Sequence, residues 1–167
     1  LPAQIKQVEG LYHAIDKYWW LTGFTNSGMV VYLLRDQNGK LEEVDHWANT
    51  DRFLGLTTCT VDRESGDLIL AGTSTKVRYG NNWIARLPLQ NGHIAATQIK
   101  ESNFGGEGRD YPLAIQYLSE DKYALLFKSD AQKGFQLKTC LAFSRQDLKF
   151  DAEKCWANEL DAITSDL

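Results

Sequence analysis

Three copies of one pattern constrain the fold of this chain more than any other feature. The copies are easiest to align at their tight turns, which begin at Gln37, Gln90 and Gln146. The turns recur about 55 residues apart, close to the periods of known repeat architectures. The sequence therefore predicts a protein built from three similar units.

Each copy contains four strand-like runs, rich in β-branched and aromatic residues and separated by turn residues. In the first two copies, Asn38-Gly39 and Asn91-Gly92 separate the third run from the fourth. Asn-Gly favours a type I′ hairpin turn, because both central residues of that turn need positive φ. The fourth runs are Leu41–Val44, Ile94–Ile99 and Leu148–Ala152. We therefore predict one all-β domain over residues 1–167, with three four-stranded antiparallel meanders at approximately 10–47, 55–100 and 111–155.

Four-stranded meanders repeated at this period resemble the blades of a β-propeller. The inner runs are nearly all apolar and the fourth runs are partly charged, as in a sheet whose outer strand faces water. The resemblance implies three blades, whereas propellers usually have about 4–8. Four arrangements remain open. The chain is a compact three-bladed domain, half of a ring closed by two copies, a fragment of a larger propeller, or three small sheets packed in some other way.

The end of the chain carries a second pattern. Trp156, Leu160, Ile163 and Leu167 have the spacing of one face of a short helix. This C-terminal tail, residues 156–167, is expected to cap the assembly or to fray.

Composition excludes several classes of function. The net charge is −4, and lysines and arginines are scattered singly, so the basic stripe that nucleic acids require is absent. No apolar stretch approaches the roughly 20 residues of a membrane-spanning helix. The only methionine is Met29, which favours removal of a secretory signal, although trimming of the chain explains the missing initiator equally well. We expect a secreted or periplasmic protein.

Two of the three cysteines flank the third turn. A tight hairpin centred between Asp147 and Leu148 places Cys140 opposite Cys155, where a disulfide can form. A bond there would imply an oxidising compartment, with Cys59 left free. The alternative is three reduced cysteines that act as small buried hydrophobes.

Alternating strands gather the longer connections at one end of the meanders, which we call the long-loop end. Function concentrates on long loops held by a rigid scaffold, and Tyr, Trp and Arg often anchor recognition. At the long-loop end, the segment Phe104–Asp110 contains three glycines and an arginine, and it suits a loop that inserts into a partner's cleft. The candidate partner-binding residues are Trp47, Asp51, Arg52, Arg78, Tyr79, Asn82, Phe104, Glu107, Arg109, Asp110 and Tyr111.

Catalysis has little support in the sequence. His13, His46 and His93 show neither metal-ligand spacing nor pairing with a cysteine. A glycosidase needs two carboxylates across a cleft, and only a few loop acids are placed to meet. We expect no enzyme activity, no cofactor and no metal.

The leading hypothesis is a non-enzymatic protein that binds a protein partner through the long-loop end. In type it resembles small periplasmic immunity proteins, which plug the active sites of cell-wall-degrading effector enzymes. The alternatives are a fragment of a larger propeller enzyme and a carbohydrate-binding module. The module would use aromatic platforms and polar partners: Trp47, Tyr79, Trp83, Asp51, Asn81 and Asn82. The chain is expected to be a monomer or a ring-closing homodimer.

Overall fold

The computed structural model of the protein describes residues 5–51, 54–74, 81–105, 109–119, 122–129, 138–144 and 147–157. Sheet 1 consists of β1 (Gln7–His13), β2 (Tyr18–Thr25), β3 (Gly28–Gln37) and β4 (Lys40–Asn49). Sheet 2 consists of β5 (Leu54–Val61), β6 (Leu68–Ser74), β7 (Asn81–Leu87) and β10 (Lys100–Phe104). Between β7 and β10 the chain forms a separate small hairpin of β8 (Leu89–Gln90) and β9 (His93–Ile94). Sheet 3 consists of β11 (Asp110–Ser119), β12 (Lys122–Ser129), β13 (Lys138–Ser144) and β14 (Phe150–Ala157).

The prediction of an all-β fold is confirmed. Each of the three large sheets has four antiparallel strands, and neighbouring strands follow one another along the chain except at the hairpin before β10. The only helical turn in the described ranges is a 3₁₀ turn at Ala96–Gln98. Among the described strands, the sheets do not close into a barrel or a ring.

The predicted fourth strand of the second unit was wrong. Asn91 and Gly92 do form a tight turn, with φ of 51° and 76°, but it joins β8 to β9. The strand that completes sheet 2 is β10, which pairs with β7 from Lys100 opposite Arg86 to Phe104 opposite Asn82. The turn signal is local, so it specifies a hairpin without specifying the sheet to which the hairpin belongs.

The predicted C-terminal helix conflicts with the structure at Trp156, which lies in β14 opposite Thr139. The other residues of that pattern, Leu160, Ile163 and Leu167, lie outside the described residues. Within those residues no helix is long and apolar enough to cross a bilayer.

Two apolar cores join the sheets in chain order. The first lies between sheets 1 and 2 and contains Trp20, Val31, Leu70 and Trp83. The second lies between sheets 2 and 3 and is built from the side chains Ile69, Ile84, Tyr123, Leu125 and Phe127.

Sheets 2 and 3 differ in how their two faces are covered. Five consecutive residues of β6, Leu68 to Gly72, are buried, because sheet 2 lies between the other two sheets. In β12 every second side chain is buried, from Tyr123 to Ser129. Since successive strand residues point to opposite faces, sheet 3 buries one face and leaves the other partly in solvent.

The first strand of each sheet has a β-bulge at a matching place. The bulges occur at Val8/Gly10 in β1, Leu56/Thr58 in β5 and Pro112/Ala114 in β11. In sheets 1 and 2 the residue opposite the bulge is a glycine, Gly23 or Gly72, whose added Cβ would collide with a carbonyl oxygen of the first strand. The bulge thus brings the two backbones too close for a side chain.

Candidate functional site

Four candidate residues of the long-loop end, Arg52, Arg78, Tyr79 and Glu107, lie outside the described residues. Two others lie at the end of sheet 1. Trp47 is half-buried in β4 and packs against the core between sheets 1 and 2. Asp51 is half-buried after β4, and its carbonyl accepts a hydrogen bond from Leu54 N at 3.1 Å. These positions hold the connection from sheet 1 to sheet 2.

Asn82 and Phe104 are neighbours at the long-loop end of sheet 2, where they pair across β7 and β10. Asn82 is completely buried. The ring of Phe104 contacts those of Phe127 and Phe150, with centroids 5.4 Å and 4.8 Å apart. Phe104 is therefore a packing residue of the second core, and Asn82 offers no surface to a partner.

The glycine-rich segment ends in three residues with different environments. Asp110 is 1 % exposed, and its carboxylate occupies the space that a side chain at Gly105 would need. Gly105 has φ of 148°, which favours glycine there. Arg109 is exposed, and Tyr111 is 39 % exposed. Of the residues predicted in this segment and described, Arg109 and Tyr111 are accessible to a partner.

Tyr111 belongs to a larger exposed surface, the outer face of sheet 3, which points away from sheet 2. Its members follow from the strand register, because residues directly opposite each other share a face. Three cross-strand rows form this face: Tyr111, Lys128, Thr139 and Trp156; Ala114, Leu126, Leu141 and Lys154; and Gln116, Ala124 and Phe143.

This outer face is apolar at its centre and aromatic at its edges. Phe143 and Trp156 are each 44 % exposed, while Leu126 and Leu141 between them are half-buried. Two further exposed leucines, Leu113 and Leu118, lie at bulges of β11 on the same sheet. Most of the large exposed hydrophobic side chains in the described residues thus belong to sheet 3.

Sequence reasoning missed this face, although a signal was present. In the third copy the second run, Tyr123–Lys128, ends in a lysine, where the first two copies end in Gly23 and Gly72. A charged residue within an otherwise apolar strand indicates that its side of the strand faces water. The exposed face of sheet 3 was not predicted because the three copies were treated as equivalent.

The structure brings charged residues together at the opposite end, in a buried cluster beneath the β5–β6 turn. Arg86 Nε donates to Asp67 Oδ2 at 2.7 Å, and Arg86 Nη2 lies 3.7 Å from Asp62 Oδ2. Tyr123 OH donates to Asp62 Oδ2 at 3.0 Å, and at the exposed rim of the cluster Tyr117 OH donates to Glu64 Oε1 at 2.7 Å. The cluster ties sheet 2 to sheet 3, and its groups are held by one another.

A cavity of about 490 Å³ lies beside Arg86 and is open to solvent. Its polar lining includes Gln90 and Gln98, whose amides hydrogen-bond to each other, and Lys100. It contains no nucleophile and base within hydrogen-bonding reach among the described residues. The cavity is a cleft between the β8–β9 hairpin and sheet 2.

Other chemically reactive groups are dispersed. Within the described ranges, no three His, Cys, Asp or Glu side chains are placed to hold a metal ion. Cys59 is free, and burial raises the pKa of its thiol to about 11, despite hydrogen bonds with Tyr12 and Thr22 that lower it. A thiol with that pKa is a poor nucleophile at neutral pH.

The predicted cysteine pair lies in the β13–β14 hairpin. Cys140 and Cys155 are directly opposite each other in the register and are joined by a disulfide. The bond fixes β14, and with it Trp156, to the rest of the outer face of sheet 3.

Comparison of the chain with protein families, with individual known proteins and with solved structures found no match.

Proposed function

We propose that this protein is a non-enzymatic binding protein that engages a protein partner through the outer face of sheet 3. One observation carries the proposal: Tyr111, Phe143 and Trp156 are exposed around half-buried Leu126 and Leu141 on one continuous sheet surface. Contiguous exposed apolar surface is unfavourable in water and commonly marks an interaction site. Tyrosine and tryptophan are also enriched among the residues that dominate binding energy.

The long-loop end contributes to the same surface in this proposal. Arg109 is exposed just before β11, next to Tyr111 in the first row of the face. A partner seated on the sheet would meet this end of the glycine-rich segment at its rim. The predicted interface therefore shifts from the loops alone to the sheet beside them.

We propose a secreted or periplasmic location, where the Cys140–Cys155 disulfide would be stable. Within that setting, the proposed partner is a cell-wall-degrading effector enzyme that this protein inhibits, as an immunity protein does. The proposal extends the hypothesis from sequence and is supported by a disulfide-bonded sheet that presents aromatic side chains. The effector's hydrolysis of peptidoglycan should fall when this protein is added in equimolar amount.

A propeller-like arrangement of the three sheets is also proposed, as an open arc of three blades that leaves the outer face of sheet 3 uncovered. It is supported by the matching bulges in the first strands β1, β5 and β11, and by the packing of sheets in chain order. In such an arrangement the first strands lie near a common axis. Disulfide cross-linking between cysteines introduced on neighbouring first strands tests it.

The binding proposal is tested with a double substitution on the face. The tagged protein and its F143S/W156S variant are each used to isolate partners from the envelope fraction of the producing cell, and candidates are retested with purified components. We expect the double variant to weaken binding by about tenfold or more, since two aromatic anchors are lost.

The matched control is Leu41→Ser, which removes an exposed apolar side chain on β4, far from sheet 3 in the topology. It should leave the affinity unchanged. Circular dichroism and thermal unfolding establish that both variants are folded. Equal affinity of the wild type and F143S/W156S for a purified partner would reject the outer face of sheet 3 as the interface.

A further inference from the structure

The charges on the outer face of sheet 3 have one sign. The side chains in its three rows that are charged at neutral pH are Lys128 and Lys154, and neither aspartate nor glutamate occupies a described outward position there. The chain as a whole has a net charge of −4. The face is therefore a local basic and apolar surface on an acidic protein.

Both lysines are placed where a docked partner would cover them. Lys128 lies on the interior strand β12, between Tyr111 and Thr139 in the first row, and is already half-buried. Lys154 lies over the ring of Trp156, with its Nζ 5.6 Å from the ring centroid. Any partner that buries the aromatic residues of this row must also remove water from these ammonium groups.

Neither ammonium group has a carboxylate partner within the described part of the chain. Burying an unpaired charge is strongly unfavourable, whereas a charge that gains an opposite partner can be accommodated in an interface. The missing carboxylates must therefore come from the partner. Arg109 adds a third positive charge beside the first row, although it already has a contact within the chain.

A second copy of this chain does not meet this requirement. Two copies that packed these faces together would bring lysines toward lysines and supply no carboxylate. We propose that the partner presents an acidic surface with an apolar centre, its carboxylates placed opposite Lys128 and Lys154. This inference rests on the proposed function, since it specifies the partner of the same face.

A random peptide library of fixed length, displayed on phage, tests the inference without knowledge of the partner. The library is selected against the wild type, the charge-reversed variant K128E/K154E, and the control K40E/K149E. The control makes the same change in net charge at two exposed lysines of other turns. Peptides specific to the face are those that F143S/W156S fails to retain.

We expect face-specific peptides from the wild type and from K40E/K149E to be enriched in Asp and Glu together with aliphatic or aromatic residues. K128E/K154E should instead select Lys and Arg, and should bind the wild-type peptides about tenfold more weakly. Added salt should weaken the wild-type complexes.

Two results would overturn the inference, and they are distinguishable. Face-specific peptides without acidic enrichment, or with the same composition for the wild type and K128E/K154E, would reject the acidic partner while leaving the binding face intact. If every peptide selected with the wild type also binds F143S/W156S, the outer face of sheet 3 is not a binding surface, and both proposals are rejected.

Discussion

Gly72 lies opposite the β-bulge of β5, and the bulge determines which residue can occupy its position. A Cβ added there would collide with the carbonyl oxygen of Gly55. Because the obstacle is backbone, it cannot rotate away as a side chain would. We expect Gly72→Ala to reduce the free energy of unfolding by about 1–3 kcal/mol, as measured by urea denaturation.

Gly55→Ala is the matched control, since a Cβ at Gly55 has open space around it. Alanine there restricts the unfolded chain, so the free energy of unfolding should be unchanged or should rise by about 0.4–1 kcal/mol. Equal losses in the two variants would show that the close approach at the bulge is not the cause.

Cys59 supplies a second prediction at the scale of single residues. Burial raises the pKa of its thiol from 9.0 to about 11, so at pH 8 the reactive thiolate is roughly 100-fold scarcer than in the unfolded chain. Alkylation by iodoacetamide, followed by mass spectrometry, should be slower by at least that factor in the folded protein than in guanidinium. Equal rates would mean that Cys59 is accessible and not perturbed.

The same shift affects stability at alkaline pH. Because the pKa of Cys59 is higher in the folded state than in the unfolded chain, this thiol does not lower the free energy of unfolding below pH 9.0. The free energy of unfolding then falls as the pH rises from 9.0 toward 11.

Aromatic residue types were a limited guide to the site. Phe104 and Trp83 have the same chemistry as Phe143 and Trp156, but the first two are core residues and the last two are exposed. Trp83 is 1 % exposed and its indole N–H donates to Glu101, so it cannot serve as a stacking platform for sugars. What separates the pairs is the sheet face on which each lies, and tertiary packing decides whether that face is covered.

At the scale of elements, the disulfide stabilises the β13–β14 hairpin. It closes a loop between residues 15 positions apart, which contributes about 3 kcal/mol on the chain-entropy model. Reduction should lower the free energy of unfolding by that amount and should speed hydrogen exchange most in β14. The Cys59→Ala variant should respond to reductant as the wild type does, and loss of that response would trace the effect to Cys59.

The buried charge cluster joins two elements of sheet 2 to sheet 3. Arg86→Met would leave Asp62 and Asp67 buried without their arginine, and we expect it to cost about 3–5 kcal/mol in chemical denaturation. The triple variant R86M/D62N/D67N removes the stranded charges and should recover part of this loss. A triple variant less stable than R86M alone would contradict the electrostatic explanation.

Local signals predicted the strands and turns well where they acted within one hairpin. Asn38 and Gly39 have φ of 58° and 85°, as a type I′ turn between β3 and β4 requires. Leu148, in the third turn, has φ of 60° although it is a leucine, because its side chain is buried in the second core. Burial there outweighs the conformational preference that makes such turns recognisable in a sequence.

For the whole molecule, repetition in the sequence indicated the units but not their assembly. Three similar sheets can stack, close or associate with a second copy without any change in their local pattern. The order of packing depends on which faces are covered, as the burial of both sides of sheet 2 illustrates. The arrangement could therefore not be derived from the period of the repeats.

The oligomeric state follows from the outer faces of the two end sheets. A ring closed by two copies would need sheet 3 of one copy to pack on the side of sheet 1 that faces away from sheet 2. On that side Leu21, Val30, Tyr32 and Leu34 are at most 5 % exposed within a single chain, so the centre of the face is already covered. The exposed apolar side chains in the rows of these four residues are Val8 and Leu11, both on the edge strand β1, which offers a partner copy only a narrow apolar margin. Self-association through sheet 3 is opposed by the lysines of its outer face. We expect a monomer at all accessible concentrations in sedimentation equilibrium, and a dimer weakened by F143S/W156S would contradict this view of the surface.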